Sequence, residues 1–259
     1  MGEHAAYLEA ALEVVREAGE ILRADYARAG EVRFKGIVNL VTATDMASQE
    51  LIHRRLAERF PGHDFLAEEG LRQLGGAEFR WVFDPLDGTT NFAHRFPVFC
   101  VSLALERRGT LVCGVVHNPI SGETFRAERG GGAFLGDVPL RVSGTGDLNQ
   151  ALVATGFPYD IRETRANICH HDAFLLRTQG VRRCGSAALD LCCVACGRFD
   201  GFWEMKLNPW DTAAGAVILE EAGGRITDFQ GRPVDIYKPE VCASNGRIHE
   251  AMLAVLEGA

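Results

Sequence analysis

The nonapeptide Asp84-Pro85-Leu86-Asp87-Gly88-Thr89-Thr90-Asn91-Phe92 follows directly on the apolar run Trp81-Val82-Phe83. The run reads as a buried strand that delivers Asp84 at its end. Pro85 has no N–H to give to a sheet ladder and forces the chain out of it. Asp87, three residues on, can turn its carboxylate toward the same point as Asp84. Gly88-Thr89-Thr90 opens a short helix, whose first N–H groups lack intrahelical partners and suit an anion such as phosphate. One segment therefore offers hard oxygen ligands for a cation beside donors for an anion. Phosphate-ester chemistry with magnesium needs that pairing. Read as a bare Asp-x-x-Asp-Gly, the same residues also describe a capped turn in which Asp87 bonds its own backbone.

Two further acidic segments share the setting. Glu68-Glu69 follows the short apolar stretch Phe65-Leu66-Ala67 and precedes Gly70. Alone, such a pair is often solvated. Trp210-Asp211-Thr212-Ala213-Ala214-Gly215 places an acid in the first turn of an Ala-rich helix, where the helix dipole favours a carboxylate and plain capping is an equal role. Carboxylates brought together without cations repel one another and raise their pKa values, and divalent ions resolve that repulsion.

Periodicity places these segments in a mixed architecture. Residues 5–27 and 45–60 read as amphipathic helices, and 28–40 as a loop or hairpin. Residues 98–105, 111–116 and 123–127 read as successive strands of an antiparallel sheet. Gly130-Gly131-Gly132 lacks a following Gly-Lys-Ser/Thr and reads as a turn. A strand is expected at 152–155, helices within 161–179 and at 186–196, and a strand at 200–204. A helix opening on Pro209 and closed by Gly223-Gly224 comes next, then a C-terminal helix over about 246–256. No repeat or linker is visible, so the chain reads as α+β rather than a regular βαβ series.

Composition excludes several classes. The 27 Lys and Arg stand against 35 Asp and Glu, a formal net charge of −8. Arg54-Arg55, Arg107-Arg108 and Arg182-Arg183 are short, scattered and read as solvated surface, so a nucleic-acid partner is not expected. The first 19 residues are broken by Glu3, Glu9, Glu13 and Glu17, and no stretch approaches the ~20 apolar residues of a membrane span. The eight cysteines read as free thiols in a reducing cytoplasm. Cys193 and Cys196 form a lone Cys-x-x-Cys next to Cys192, in an Ala-rich helix without a second pair; core cysteines are the plainer reading, zinc or redox chemistry the sharper one. His170-His171, near Asp172, reads as a helix-surface or interface pair, with a metal or acid role as the alternative.

At Glu68-Glu69, Asp84 to Asn91 and Trp210-Asp211 the chain resembles the inositol monophosphatase family of lithium-sensitive, magnesium-dependent phosphatases. Order and spacing agree along nearly the whole chain, and Val41-Thr42-Ala43-Thr44-Asp45, Gly185-Ser186-Ala187-Ala188 and Phe202-Trp203-Glu204 also resemble that pattern. The resemblance implies a five-layered αβαβα sandwich of the sugar-phosphatase type. It implies one domain spanning 1–259, whose halves, about 1–145 and 146–259, share one site. Glu68, Asp84, Asp87 and the Leu86 carbonyl would bind magnesium, and Asp211 would join Asp84 and Asp87 on a second ion of two or three. Gly88, Thr89 and Thr90 would meet the phosphate. Asp45 would pair with the Thr89 hydroxyl and help activate water. Glu204 would hold polyol hydroxyls, a fitting task for an acceptor, with Ala187 contributing its backbone. Lys35 matches a loop lysine of the family, and Asn208 stands where some animal members carry His. The implied substrate is a small phosphorylated polyol or sugar, inositol 1-phosphate first. Fructose 1,6-bisphosphate, a 3′-phosphoadenosine nucleotide, and a non-enzymatic role with the transcription machinery are the alternatives. The family also implies a homodimer.

Overall fold

The computed structural model describes residues 4–27, 32–34 and 40–258; Lys35 lies outside the described residues. Helix α1 (Ala5–Ala27) buries Leu8, Val15 and Leu22, one stripe at heptad spacing. Strands β1 (Val32–Phe34) and β2 (Leu40–Thr42) pair antiparallel, and α2 (Ala43–Arg59) follows at once. Next come β3 (Asp64–Ala67), β4 (Arg72–Gln73), β5 (Phe79–Asp87) and the single-turn α3 (Thr89–Ala93). Strands β6 (Cys100–Arg107), β7 (Thr110–His117), β8 (Thr124–Glu128), β9 (Gly132–Leu135) and β10 (Val138–Pro139) complete a sheet of order β10-β9-β8-β7-β6-β5-β3-β4. The remaining chain supplies β11 (Leu152–Thr155), α4 (Ile161–Thr164), α5 (Ile168–Leu175), β12 (Gly180–Arg182), α6 (Ala187–Ala195) and β13 (Gly201–Met205). It ends with α7 (Pro209–Glu221), β14 (Arg225–Thr227), β15 (Glu240–Ser244) and α8 (His249–Glu257). The second sheet has the order β12-β11-β13-β15-β14.

Alternation along the strands sorts the core into three clusters that define five layers. Phe65, Trp81, Phe83, Val101, Leu103 and Leu105 face α1 and α2. Val82, Cys100, Ala104, Val116 and Phe125, on the opposite face of the same sheet, pack on α6 and α7. Phe202 meets those helices from the second sheet, whereas its neighbour Trp203 points away and stacks on Phe174 of α5 at 3.9 Å between ring centroids. Met252, Val255 and Leu256 of α8 close that outer layer. The order α, β, α, β, α is the expected five-layered α+β sandwich. Among the described residues no helix is long and apolar enough to cross a membrane.

The differences from expectation have local causes. Strand β5 does not stop at Asp84 but continues through Asp87 as a bulge. Strands β14 and β15 were not anticipated: β15 is a short run buried on both faces, without the polar alternation that marks a half-buried strand. Helix α8 begins at His249 rather than 246, because Gly246 takes a left-handed φ of 81° in the turn before it. Cys192 is buried, but Cys193 and Cys196 are only half-buried, so the Cys-x-x-Cys is not a fully interior pair.

His249 is a buried group with a pH signature. Thr227 Oγ1 donates to the Asp228 carbonyl (2.7 Å), so at 2.9 Å from Nε2 it acts as an acceptor, which assigns the ring proton to Nε2. Nδ1 then accepts from Ser244 Oγ at 2.9 Å. The neutral ring is satisfied at both nitrogens, and burial, followed by the Arg225 charge, lowers its pKa to about 4. Between about 4 and the ordinary value of 6.5 the unfolded chain takes a proton that the folded chain refuses. Stability is therefore full above this window and falls as pH drops through it. We expect this one group to remove about 2 kcal/mol on going from pH 8 to pH 5. Thermal melts across that range check it: His249→Gln should flatten the pH dependence, and an unchanged slope would acquit His249.

Candidate active site

The bulge in β5 builds the centre of the site. Asp84 lies opposite Ser102 of β6 and Asp87 opposite Cys100, so three steps on β5 face two on its partner. Pro85, with no N–H to satisfy, sits in the irregular stretch, and its carbonyl accepts from Ser48 Oγ at 2.9 Å. Asp84 Oδ1 accepts the Leu86 N–H at 2.9 Å, fixing its carboxylate over the bulge. Gly88 ends the bulge at φ 97°. A Cβ there would lie 2.9 Å from the Val98 carbonyl and 3.2 Å from the Gly185 carbonyl, so both conformation and space require glycine. Helix α3 is tied to the other half of the chain by Asn91, whose Nδ2 donates to the carbonyls of Val98 (2.7 Å) and Cys184 (2.8 Å).

Helix α6 secures Asp87 from the opposite side. Ser186, its N-cap, accepts the Leu189 N–H and donates to Asp87 Oδ2 at 2.7 Å. The Ala188 N–H donates to the same oxygen at 2.9 Å. Helix α7 brings Asp211, whose Oδ2 accepts the Asn208 N–H at 2.7 Å. Asp211 thus caps the helix, the plainer role read from the sequence, and also lines the cleft. Glu68 arrives on the turn after β3, a turn held by Gln49 of α2 through both the N–H and the carbonyl of Glu69.

One cleft gathers Glu68, Asp84, Asp87 and Asp211, together with Leu86, Gly88, Thr89, Thr90, Ala187 and Glu204. Of the predicted residues within the described segments, Asp45 alone stands back from the cleft wall, fully buried in the first turn of α2. The Thr89 hydroxyl, expected to pair with Asp45, donates to the Leu86 carbonyl at 3.2 Å. His170 and His171 lie apart on α5, His170 edge-on to the Phe229 ring at 5.6 Å.

Electrostatics mark the cluster as costly. Burial, then the charges of Glu68, Asp87 and Asp211, hold the Asp84 carboxyl far above the usual carboxylate range. Burial and Asp87 do the same to Asp211, against the opposing Asn208 N–H. Asp87 is raised by burial, and the donors from Ser186 and Ala188 restrain the rise. Burial lifts Glu204 to about 8, with Asp190 and Asp87 adding to it and Arg183 opposing. Among the described residues no three acidic, histidine or cysteine side chains stand close enough together to hold a metal ion as they lie. An all-oxygen, acidic donor set of this kind fits a hard divalent cation and no soft one.

Sequence reasoning passed over Gly156, Tyr159, Arg183 and Asp190, which also line the cleft. Asp190 carried a signal: it is the one acid in the apolar stretch Ala187–Ala195, where a charge needs a reason. Arg183 had been read as solvated surface and Tyr159 carried no motif.

The inositol monophosphatase family model matches residues 3–259. The chain belongs to this family. Membership makes it a phosphoric monoester hydrolase by class. Inositol monophosphatase 3 of Solanum lycopersicum is 42% identical over 257 residues, covering 96% of each chain. The Nus factor SuhB of Pseudomonas aeruginosa is 40% identical, covering 96% of this chain and 95% of that one. The solved inositol monophosphatase of Anabaena (Nostoc) sp. PCC 7120 superposes with a TM-score of 0.92 at 40% identity, over 100% of this chain and 98% of that one.

The raised Asp211 carboxyl yields a stability prediction. A carboxylate whose folded pKa lies above its unfolded value opposes folding increasingly as pH rises above the unfolded value, and the cost is gone only once pH has fallen below that unfolded value. Asp211→Asn keeps an oxygen for the Asn208 N–H and removes one charge. In EDTA the variant should melt at or above the parent, and excess magnesium should stabilise the parent more. A variant melting well below the parent in EDTA would make Asp211 chiefly a helix cap.

Proposed function

We propose that the chain hydrolyses small polyol phosphate monoesters in a magnesium-dependent reaction, with inositol 1-phosphate the first substrate. The observation that carries this reading is the gathering of Glu68, Asp84, Asp87 and Asp211 from three separate segments at one cleft, beside Gly88 and Thr89. Two or three magnesium ions held by these carboxylates and the Leu86 carbonyl would supply Lewis acidity and acidify a water. The chain's own groups orient the ester. Backbone N–H groups at Gly88 and Thr89, with Thr90 beside them, receive the phosphate. Thr89 turns its hydroxyl from Leu86 toward Asp45 to move a proton from the attacking water. Glu204 and the Ala187 backbone hold the alcohol.

The cleft volume of about 160 Å³, below the roughly 300–1,000 Å³ that encloses a drug-sized ligand, favours a compact ester over a nucleotide. Fructose 1,6-bisphosphate ranks second. The same reading takes 1–259 as one domain whose halves share this site, acting as a cytoplasmic homodimer without nucleic-acid or membrane partners. A second reading, an added role as a Nus factor with the transcription machinery, is favoured by the relative that bears that name; a pull-down against RNA polymerase components tests it.

Phosphate release from a panel of monoesters tests the main reading. Inositol 1-phosphate should turn over with magnesium, lose turnover in excess EDTA and be inhibited by lithium. Assayed above the value of about 8 at which Glu204 ionises, Glu204→Ala should raise KM for inositol 1-phosphate tenfold or more, in keeping with the roughly 1.5–3 kcal/mol of a charged hydrogen bond, and leave the magnesium dependence in place. Full turnover in EDTA would sink the metal assignment. A loss of magnesium affinity in Glu204→Ala would make that residue a ligand instead.

A further inference from the structure

Part of the cleft wall is made by side chains resting where two glycines have none. Strand β11 runs parallel to β13 with Thr155 opposite Trp203, so Gly156 and Glu204 come next at the strand ends. A Cβ on Gly156 would overlap both carboxylate oxygens of Glu204. A Cβ on Gly185 would likewise overlap a guanidinium nitrogen of Arg183. Glu204 lies within Coulomb reach of Arg183 and of Asp190, which is 2% exposed and whose Oδ1 has no hydrogen-bond partner among the described residues. The wall therefore offers two acids and one guanidinium, a surface that reads hydroxyl groups rather than apolar carbon.

We propose that Gly156 is a specificity-determining residue: without a side chain it lets the Glu204 carboxylate sit back against the strand end, and so sets the room and hydroxyl pattern accepted in the alcohol half of the ester. The proposal rests on the phosphatase reading above. Two features make the effect one of selection rather than of folding. The atoms that a methyl at 156 would displace are the far end of a flexible side chain, not backbone. Gly156 is also outside the left-handed region, whereas Gly185 has φ 91°, so alanine at 156 adds no backbone strain and alanine at 185 would. Displaced from Gly156, the carboxylate must leave this resting place, and the open space beside it is the cleft that both residues line.

The test compares kcat/KM for inositol 1-phosphate with that for ethyl phosphate, which has no free alcohol hydroxyl and a far smaller alcohol part. Gly156→Ala should lower the ratio of the two at least tenfold, mainly through KM for the inositol ester. In a Glu204→Ala background the methyl has no carboxylate to displace, so Gly156→Ala/Glu204→Ala should match Glu204→Ala alone in both ratio and melting temperature. If Gly156→Ala is too unstable to assay, the double variant should still fold; its failure to fold overturns the proposal. An unchanged ratio in Gly156→Ala, or an undiminished penalty in the double variant, also overturns it. A parent inert toward both esters would instead overturn the phosphatase reading, and this assignment with it.

Discussion

Mutual repulsion among buried carboxylates is the cost around which this structure is arranged. Glu68 stands on the turn after β3, Asp84 and Asp87 on β5 and Asp211 on α7, and the three aspartates are fixed by contacts that are independent of any ion. Asp84 is pinned by the Leu86 N–H, Asp87 by Ser186 and Ala188, and Asp211 by the Asn208 N–H. Such donors lower the price of each charge without cancelling its neighbours. A folded chain can carry this arrangement because the surrounding layers are well packed, with Trp81, Phe83, Phe99 and Trp203 all fully buried. The residual strain is electrostatic, and divalent cations bound there, as proposed, would relieve it.

The five layers explain how acidic residues distant in sequence meet. Strand β5 lies inside the first sheet, and α6 and α7 fill the layer between the sheets, so the bulge of β5 and the first turns of both helices face one another. Cross-links at that junction are polar and short: Asn91 to Cys184, Ser186 to Asp87, and Ser102 Oγ to the Trp210 carbonyl at 3.3 Å. Each joins a residue before position 103 to one after position 183. The cleft is accordingly a property of the junction and of neither sheet alone.

Much of this was legible beforehand, and the exceptions have physical reasons. Helix α7 was read to its ends because Pro at its first turn and Gly-Gly after it are unambiguous punctuation. The nonapeptide marked where the ladder is disturbed, because Pro85 cannot donate to it and Gly88 admits a left-handed turn that other residues rarely adopt; the continuation of the strand through Asp87 as a bulge was not read from it. Strand β15, by contrast, is buried on both faces, and burial on both faces erases the period by which a strand is known. Gly156 was passed over because its importance lies in what occupies the space beside it, which only the fold reveals. Asp190 was visible as an acid in an apolar helix, but its neighbours Cys184, Arg183 and Glu204 come from other elements.

The central helix layer has a consequence for how the chain is made. The residues of the first sheet that face α6 and α7, among them Val82, Ala104, Val116 and Phe125, are complete once position 139 has been synthesised, but their cover arrives only with residues 187–221. At about 5–20 residues per second the ribosome leaves that apolar face bare for some seconds. A nascent chain in this state presents a sticky sheet that already carries Glu68, Asp84 and Asp87 but not Asp211, with nothing to shield it. Holding factors that bind exposed apolar surface therefore matter most in that interval, and substitutions that enlarge this face will trouble biogenesis more than the finished fold.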